Sequence, residues 1–80
     1  MAAKAYILIE VAKGMAKQIR DELEKNQHIK EINIVTGDID LIAIVEGESL
    51  DDIQQDLVFG QIHNINGVLK TVTIPVIALE

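Results

Sequence analysis

The chain has 80 residues, of which 49% are hydrophobic and 2% aromatic, and it carries a formal net charge of −6 at pH 7 with no cysteine. Such a chain forms at most one domain, and the lack of cysteine excludes disulfides, thiolate metal sites and cysteine nucleophiles. The seven lysines and arginines are scattered rather than gathered in a stripe, so direct binding of nucleic acid is not expected. Apolar runs are far shorter than the roughly 20 residues that cross a bilayer, and the N-terminus lacks a signal-peptide pattern. We therefore expect a cytoplasmic protein that does not bind membranes.

The first elements are predicted to be a strand and a helix. Residues 6–11 are short, rich in β-branched side chains and almost wholly apolar, which predicts a strand that ends before Gly14. Residues 15–26 predict a helix, because apolar side chains recur every four residues and form one stripe. The members of this stripe are Met15, Ile19 and Leu23.

A hairpin is predicted after this helix. Residues 29–35 alternate apolar and polar side chains, which is typical of a half-buried strand. Gly37 and Asp38 form a polar turn, and a third strand follows at residues 40–46. Residues 41–45 of this strand are all apolar, so we expect both of its faces to be covered.

A second helix and a last strand complete the chain. Ser49 predicts the helix N-cap, and acidic residues occupy the first turn, where they suit the positive end of the helix dipole. The helix is expected to stop at residues 66–67, with Gly60 inside it either as a close-packing position or as a local break. Residues 68–79 predict a strand that Pro75 interrupts. The apolar side of the helix is expected to comprise Leu50, Ile53, Leu57, Phe59, Ile62 and Ile65.

The element order βαββαβ predicts a single α+β domain over residues 1–80 with a ferredoxin-like fold. Its four-stranded antiparallel sheet has the order 4-1-3-2, with both helices on one face. The two continuous apolar strands fit the central positions, and Pro75 fits an edge strand. The second face of the sheet stays bare in one chain. Because fully burying an aliphatic side chain is worth about 1.5–3 kcal/mol, we expect a sheet-to-sheet homodimer, a dimeric α+β barrel.

Two carboxylates flank the predicted hairpin turn. Asp38 and Asp40 either stabilise the turn through local hydrogen bonds or bind a ligand, by accepting hydrogen bonds from an ammonium group or by coordinating a weakly held metal. The later ligands of a calcium loop are missing. The spacing by itself favours the turn-forming role.

Hydroxyl and imidazole groups are the other candidates. Thr71 and Thr73 share one face of the last strand, where they either reflect β-propensity or face a small polar ligand. His28 and His63 have no partner at a catalytic or metal-binding spacing, which favours surface or helix-end positions. No phosphate-binding or nucleophile motif is present in the sequence.

Three segments of the chain form a more specific pattern. They are Ala-Tyr-Ile-Leu-Ile-Glu-Val at 5–11, Thr-Gly-Asp-Ile-Asp-Leu at 36–41 within an apolar surrounding, and Ile-Asn-Gly-Val-Leu-Lys-Thr-Val-Thr at 65–73. In this order the segments resemble the effector-binding domain of Lrp/AsnC transcriptional regulators, also called the RAM domain. The resemblance covers about the whole chain.

The resemblance implies a non-enzymatic module without cofactor or metal that binds an amino-acid effector and serves the regulation of amino-acid metabolism. It implies sheet-to-sheet dimers that assemble into octamer-like rings, with effectors bound between dimers near the hairpin. Gly37, Asp38 and Asp40 would line that site, with Thr71 and Thr73 as further candidates. The chain begins at the first strand, so no helix-turn-helix domain is expected. The module would act alone or with full-length regulators of the family.

Two alternatives share the predicted fold. One is a small cofactor-free enzyme on a dimeric α+β barrel, of the monooxygenase or isomerase type, although such pockets usually contain aromatic side chains that are scarce here. The other is an ACT-type regulatory domain. Fold alone does not separate these functions.

Overall fold

A four-stranded antiparallel sheet in the order β2-β3-β1-β4 organises the computed structural model, which describes residues 3–77. Its helical elements pack against one face of the sheet, as the ferredoxin-like prediction requires. The strands are β1 (Ala3–Val11), β2 (Ile29–Ile34), β3 (Leu41–Gly47) and β4 (Val68–Pro75). The helical elements are α1 (Ala16–Leu23), α2 (Leu50–Asp52), a π-helical segment (Ile53–Phe59) and a 3₁₀ turn (Ile62–Asn64).

The two continuous apolar strands, β1 and β3, lie in the centre of the sheet, as predicted. They pair in register from Ala3 opposite Gly47 to Ile9 opposite Leu41. On the helix-covered face their side chains are buried and form the centre of the core with residues of α1 and the π-helical segment. The buried side chains of these two strands are Ala5, Ile7, Ile9, Val11, Leu41, Ala43 and Val45.

Some element bounds differ from the predicted ones. β1 starts three residues earlier, because its polar beginning still pairs with the end of β3. α1 is shorter, and its stripe is confirmed by the buried Ile19 and Leu23 with Met15 packed at the margin. β4 ends at Pro75, after which the N–H of Val76 donates to the carbonyl of Lys4 at 2.9 Å. Positions 78 and 79 of the predicted strand lie outside the described residues.

The second helix is not one regular α-helix. Ser49 caps it as predicted, since its Oγ accepts a hydrogen bond from the Asp52 N–H at 3.1 Å. After α2 the helix changes to the wider turns of the π-helical segment, and both Leu57 and Val58 lie buried in the core. The helix ends at Phe59, so Gly60 lies at its end rather than inside it. Phe59 was predicted on the apolar side but is half exposed.

Gly60 is required at this position by space rather than by an unusual backbone conformation. A Cβ there would lie 2.6 Å from the carbonyl oxygen of Asp56 and 2.8 Å from that of Gln55. Both neighbours are backbone carbonyls, and overpacking costs about 1–3 kcal/mol. We therefore expect Gly60→Ala to lower the free energy of unfolding by about 1–3 kcal/mol in urea denaturation. Gly14→Ala is the contrasting variant, because its Cβ meets no atom within 4 Å and any cost there comes from its φ of +83°. An unchanged stability of Gly60→Ala would contradict this packing.

His28 departs from the predicted surface position. Its side chain is largely buried and its Nδ1 lies 3.0 Å from the carbonyl oxygen of Glu46. A carbonyl can only accept, so Nδ1 carries the proton in this contact. Nε2 has no hydrogen-bond partner within the described residues and lies 4.0 Å from Asp56 Oδ2. His28 therefore joins the start of β2 to the end of β3.

The helix surface carries ordinary solvated ion pairs. Hydrogen bonds from Lys17 and then from Arg20 hold the pKa of Asp21 below its usual range.

None of the helices within residues 3–77 is long and apolar enough to cross a membrane.

Candidate functional site

The hairpin between β2 and β3 spans residues 35–40 and is longer than a tight two-residue turn. It closes through the Val35 N–H, which donates to the Asp40 carbonyl at 2.9 Å. Gly37 has a φ of +120°, a region that side chains disfavour, while the space around it is open. Thr36, Gly37 and Asp38 are exposed, so the tip of the hairpin projects into solvent.

The polar groups at this tip are unengaged. The side chain of Asp38 makes no hydrogen bond or ion pair with the part of the chain that the structure describes. Within the same residues, the backbone N–H groups of Gly37, Asp38 and Ile39 donate to no backbone carbonyl. The tip therefore offers one free carboxylate beside free amide donors.

Asp40, unlike Asp38, makes hydrogen bonds to the rest of the chain. Its Oδ2 accepts a hydrogen bond from the N–H of Val11 at 2.9 Å, and its own N–H donates to the Ile9 carbonyl at 3.1 Å. Val11 is buried, so this carboxylate satisfies an amide that would otherwise lose its partner at the end of β1. The contact ties the base of the hairpin to the central strand, which favours the structural interpretation of Asp40.

Thr71 and Thr73 point toward the helices, while their apolar neighbours on β4 face the other side of the sheet. Thr71 Oγ1 lies 2.9 Å from His63 Nε2. Thr73 Oγ1 donates to Gln54 Oε1 at 3.1 Å. Both hydroxyls thus hold β4 to the second helical region. His63 is exposed in the 3₁₀ turn, as the predicted surface position requires. Sequence reasoning missed Gln54 and the contact of His63 with Thr71, because both depend on where the helix breaks.

An open groove of about 370 Å³ lies beside Thr71. The ring of His63 stands edge-on to that of Phe59, with centroids 5.2 Å apart and an interplanar angle of 87°. This aromatic contact fixes the orientation of the imidazole at the mouth of the groove. The groove is lined by His63, Val68, Leu69, Lys70 and Thr71.

One chain does not bring the hairpin and the threonines into contact. Ile9 of β1 pairs with Leu41 on one side and with Thr71 on the other. Two strand spacings of about 4.8 Å each therefore separate the base of the hairpin from Thr71. The predicted site residues fall into two groups, one at the hairpin and one on β4.

The uncovered face of the sheet is apolar at its centre. In one cross-strand row Ile74 is opposite Tyr6 and Tyr6 is opposite Ile44; in the next, Leu8 lies between Val72 and Ile42. We call this surface the open face. Polar residues surround it, with Glu31 and Asn33 on β2 and the pair Glu10 and Lys70 at one end. The central residues of the open face are Tyr6, Leu8, Ile42, Ile44, Val72 and Ile74.

Across residues 3–77 there is no group of three or more His, Asp or Glu side chains that could hold a metal ion. The carboxylates at the hairpin are split between a free Asp38 and an engaged Asp40, and the imidazoles contact a carbonyl and a hydroxyl.

Known structures resemble this fold along its whole length. The crystal structure of FFRP-DM1 superposes with a TM-score of 0.87 at 29% sequence identity, covering 94% of this chain and 99% of that chain. The hypothetical protein PHS023 from Pyrococcus horikoshii has the same TM-score and identity, with 99% and 93% of the two chains covered.

A longer regulator has the same fold in half of its chain. The transcriptional regulator NMB0573 from Neisseria meningitidis, solved as an L-Met complex, superposes with a TM-score of 0.82 at 15% identity. The alignment covers 95% of this chain and 50% of the regulator. No curated protein matches the chain.

A family model describes the chain almost completely. The model of the Lrp/AsnC ligand binding domain matches residues 4–78. The resemblance that the sequence pattern suggested is thereby confirmed, and the enzyme and ACT alternatives are set aside. The chain belongs to the Lrp/AsnC ligand-binding domain family and is a non-enzymatic regulatory domain.

Proposed function

We propose that this chain is an amino-acid-binding, oligomer-forming module that serves the transcriptional regulation of amino-acid metabolism. The observation that carries the proposal is the exposed hairpin tip, with a free Asp38 carboxylate beside free backbone amides, in a chain of this ligand-binding family.

The hairpin chemistry suits a zwitterion. An amino acid presents a carboxylate and an ammonium group on the same carbon, so its site needs donors and an acceptor within a few ångströms. The amides around Gly37 would donate to the carboxylate, and Asp38 would accept from the ammonium group. The L-Met complex of the Neisseria meningitidis regulator supports this class of effector.

The distance between the two groups of candidate residues supports a site shared between subunits. Thr71 and Thr73 lie across β1 from the hairpin of their own chain, too far for one small amino acid to touch both groups. The proposal places the hairpin of one subunit, including Gly37, Asp38 and Asp40, against the threonine groove of another.

The open face supports the dimer. It exposes apolar side chains on three neighbouring strands with polar residues around them, an arrangement typical of a protein interface. We therefore propose that two copies pack sheet to sheet, and that dimers associate further into an octamer-like ring with effectors between them.

The proposed module works through assembly with other copies of the domain. FFRP-DM1 and PHS023 are almost completely covered by this one domain, which supports a role for the domain by itself. Full-length regulators with matching interfaces are the further partners that we propose.

Isothermal titration calorimetry against the common L-amino acids tests the proposal. We expect at least one to bind, and Asp38→Asn to weaken that binding about 10-fold or more, because a hydrogen bond to a charged group contributes about 1.5–3 kcal/mol. Glu24→Gln, an exposed charge change at the C-terminal end of α1, should leave affinity unaltered. The absence of binding by every amino acid would contradict the sensor function, and unaltered binding by Asp38→Asn would contradict the assigned acceptor.

A further inference from the structure

The hydrogen bonds of Thr71 and Thr73 restrict what these hydroxyls can offer a ligand. A threonine hydroxyl has one proton to donate and two lone pairs that accept. The proton of Thr73 is committed to Gln54 Oε1 at 3.1 Å. Thr73 can therefore only accept from a ligand, which suits an ammonium group and not a carboxylate.

Thr71 differs because its partner can change roles. His63 Nε2, 2.9 Å from Thr71 Oγ1, either donates a proton or accepts one, depending on the state of the imidazole. When Nε2 accepts, the Thr71 proton is used and only lone pairs remain. When His63 is protonated, Nε2 must donate, and the Thr71 proton is released toward the groove.

We propose that His63 and Gln54 are positioning residues that set the donor and acceptor character of Thr71 and Thr73 in the effector site, so that protonation of His63 strengthens recognition of the effector carboxylate. The inference rests on the proposed amino-acid binding and adds its regulation by pH. Histidine changes its charge within the physiological pH range.

The surroundings of His63 favour such a role. The side chain is exposed, so protons exchange freely, and the Phe59 ring holds the imidazole in place. Phe59 is the aromatic contact from the helix and does not titrate. Among the groove-lining residues of β4, Lys70 is the charged one. Over the described residues no carboxylate lies within 4 Å of His63, so a protonated His63 adds positive charge where a carboxylate would bind.

The test is calorimetry at about pH 6 and about pH 8 with the tightest-binding L-amino acid whose side chain does not titrate. Such an amino acid stays zwitterionic between these values, so any change in affinity belongs to the protein. We expect binding to be several-fold tighter at about pH 6. His63→Gln keeps a group that can donate to or accept from Thr71, and we expect it to retain binding but to lose the pH dependence.

Two further variants test the other histidine and the partner of Thr73. His28→Gln removes the other histidine, which lies at the β2–β3 junction, and should keep the pH dependence of the parent. Gln54→Leu frees the Thr73 proton and should weaken binding at both pH values alike, because Thr73 loses its fixed acceptor orientation.

The outcomes separate this inference from the proposed function. Amino-acid binding with an affinity that is equal at both pH values, or whose pH dependence persists in His63→Gln, would overturn the role of His63 and leave the sensor function standing. A failure of every amino acid to bind at either pH would overturn both.

Discussion

In the proposed sheet-to-sheet assembly, replacing Leu8 with lysine is expected to leave a folded monomer. Leu8 lies in the centre of the open face, directly opposite Ile42 on β3 and Val72 on β4. In a sheet-to-sheet dimer this position is covered in both copies. An ammonium group buried there would cost several kcal/mol, which raises the dissociation constant by more than about 100-fold.

The isolated subunit should tolerate this change. The Leu8 side chain points away from the helix-covered core, so Leu8→Lys meets solvent in the monomer. Ile34→Lys is the matched control, because Ile34 is also an exposed aliphatic residue but pairs with Leu41 at the outer edge strand, off the open face. Light scattering should find a monomer for Leu8→Lys and the parent oligomer for Ile34→Lys, with similar circular dichroism. An oligomer of unchanged size in Leu8→Lys would contradict the sheet-to-sheet arrangement.

Replacing Asp40 with alanine is expected to destabilise the domain, whereas replacing Asp38 is not. Asp40→Ala removes the acceptor of the buried Val11 N–H. Leaving a buried donor unsatisfied costs about 1–3 kcal/mol, a large part of the stability of a domain this size. Within the described residues, the Asp38 side chain makes no hydrogen bond or ion pair that would be lost.

Urea denaturation of three variants separates structural from binding roles. Asp40→Ala should show a lower midpoint, Asp40→Asn should recover most of it because the amide oxygen still accepts from Val11, and Asp38→Ala should match the parent. If Asp40→Ala were as stable as the parent, the anchoring of the hairpin to β1 would be wrong.

The sheet was predictable because strand positions that are covered on both faces require apolar residues. Residues 41–45 are apolar on both sides of the strand, and this pattern correctly predicted a central strand whose second face is uncovered in one chain. Ser49 correctly marked the start of the second helical region, whereas its last helical turn ends at Asn64, before the stop predicted at residues 66–67.

The interior of the second helix was not predictable in the same way. A run of apolar residues fits several helical spacings, so the change to a π-helical segment and the exposure of Phe59 could not be read from periodicity. The break decides which helix residues face β4. For this reason Gln54 and the contact between His63 and Thr71 could not be predicted from the sequence.

The candidate site was predictable in its residues but not in their roles. Asp38 and Asp40 look equivalent in sequence, two positions apart in a polar turn. They differ because the partner of Asp40 is the Val11 amide, 29 residues away, and no local pattern encodes such a contact. By contrast, the position of β1 between the hairpin and Thr71 follows from the predicted strand order, which the structure confirms.

Native mass spectrometry of the protein with each common L-amino acid tests most directly whether the chain binds an amino acid in an assembled state. We expect an even-numbered oligomer that retains at least one of these amino acids, at no more than one molecule per subunit. A monomer, or an oligomer that retains none of them, would contradict the amino-acid-binding module proposed here.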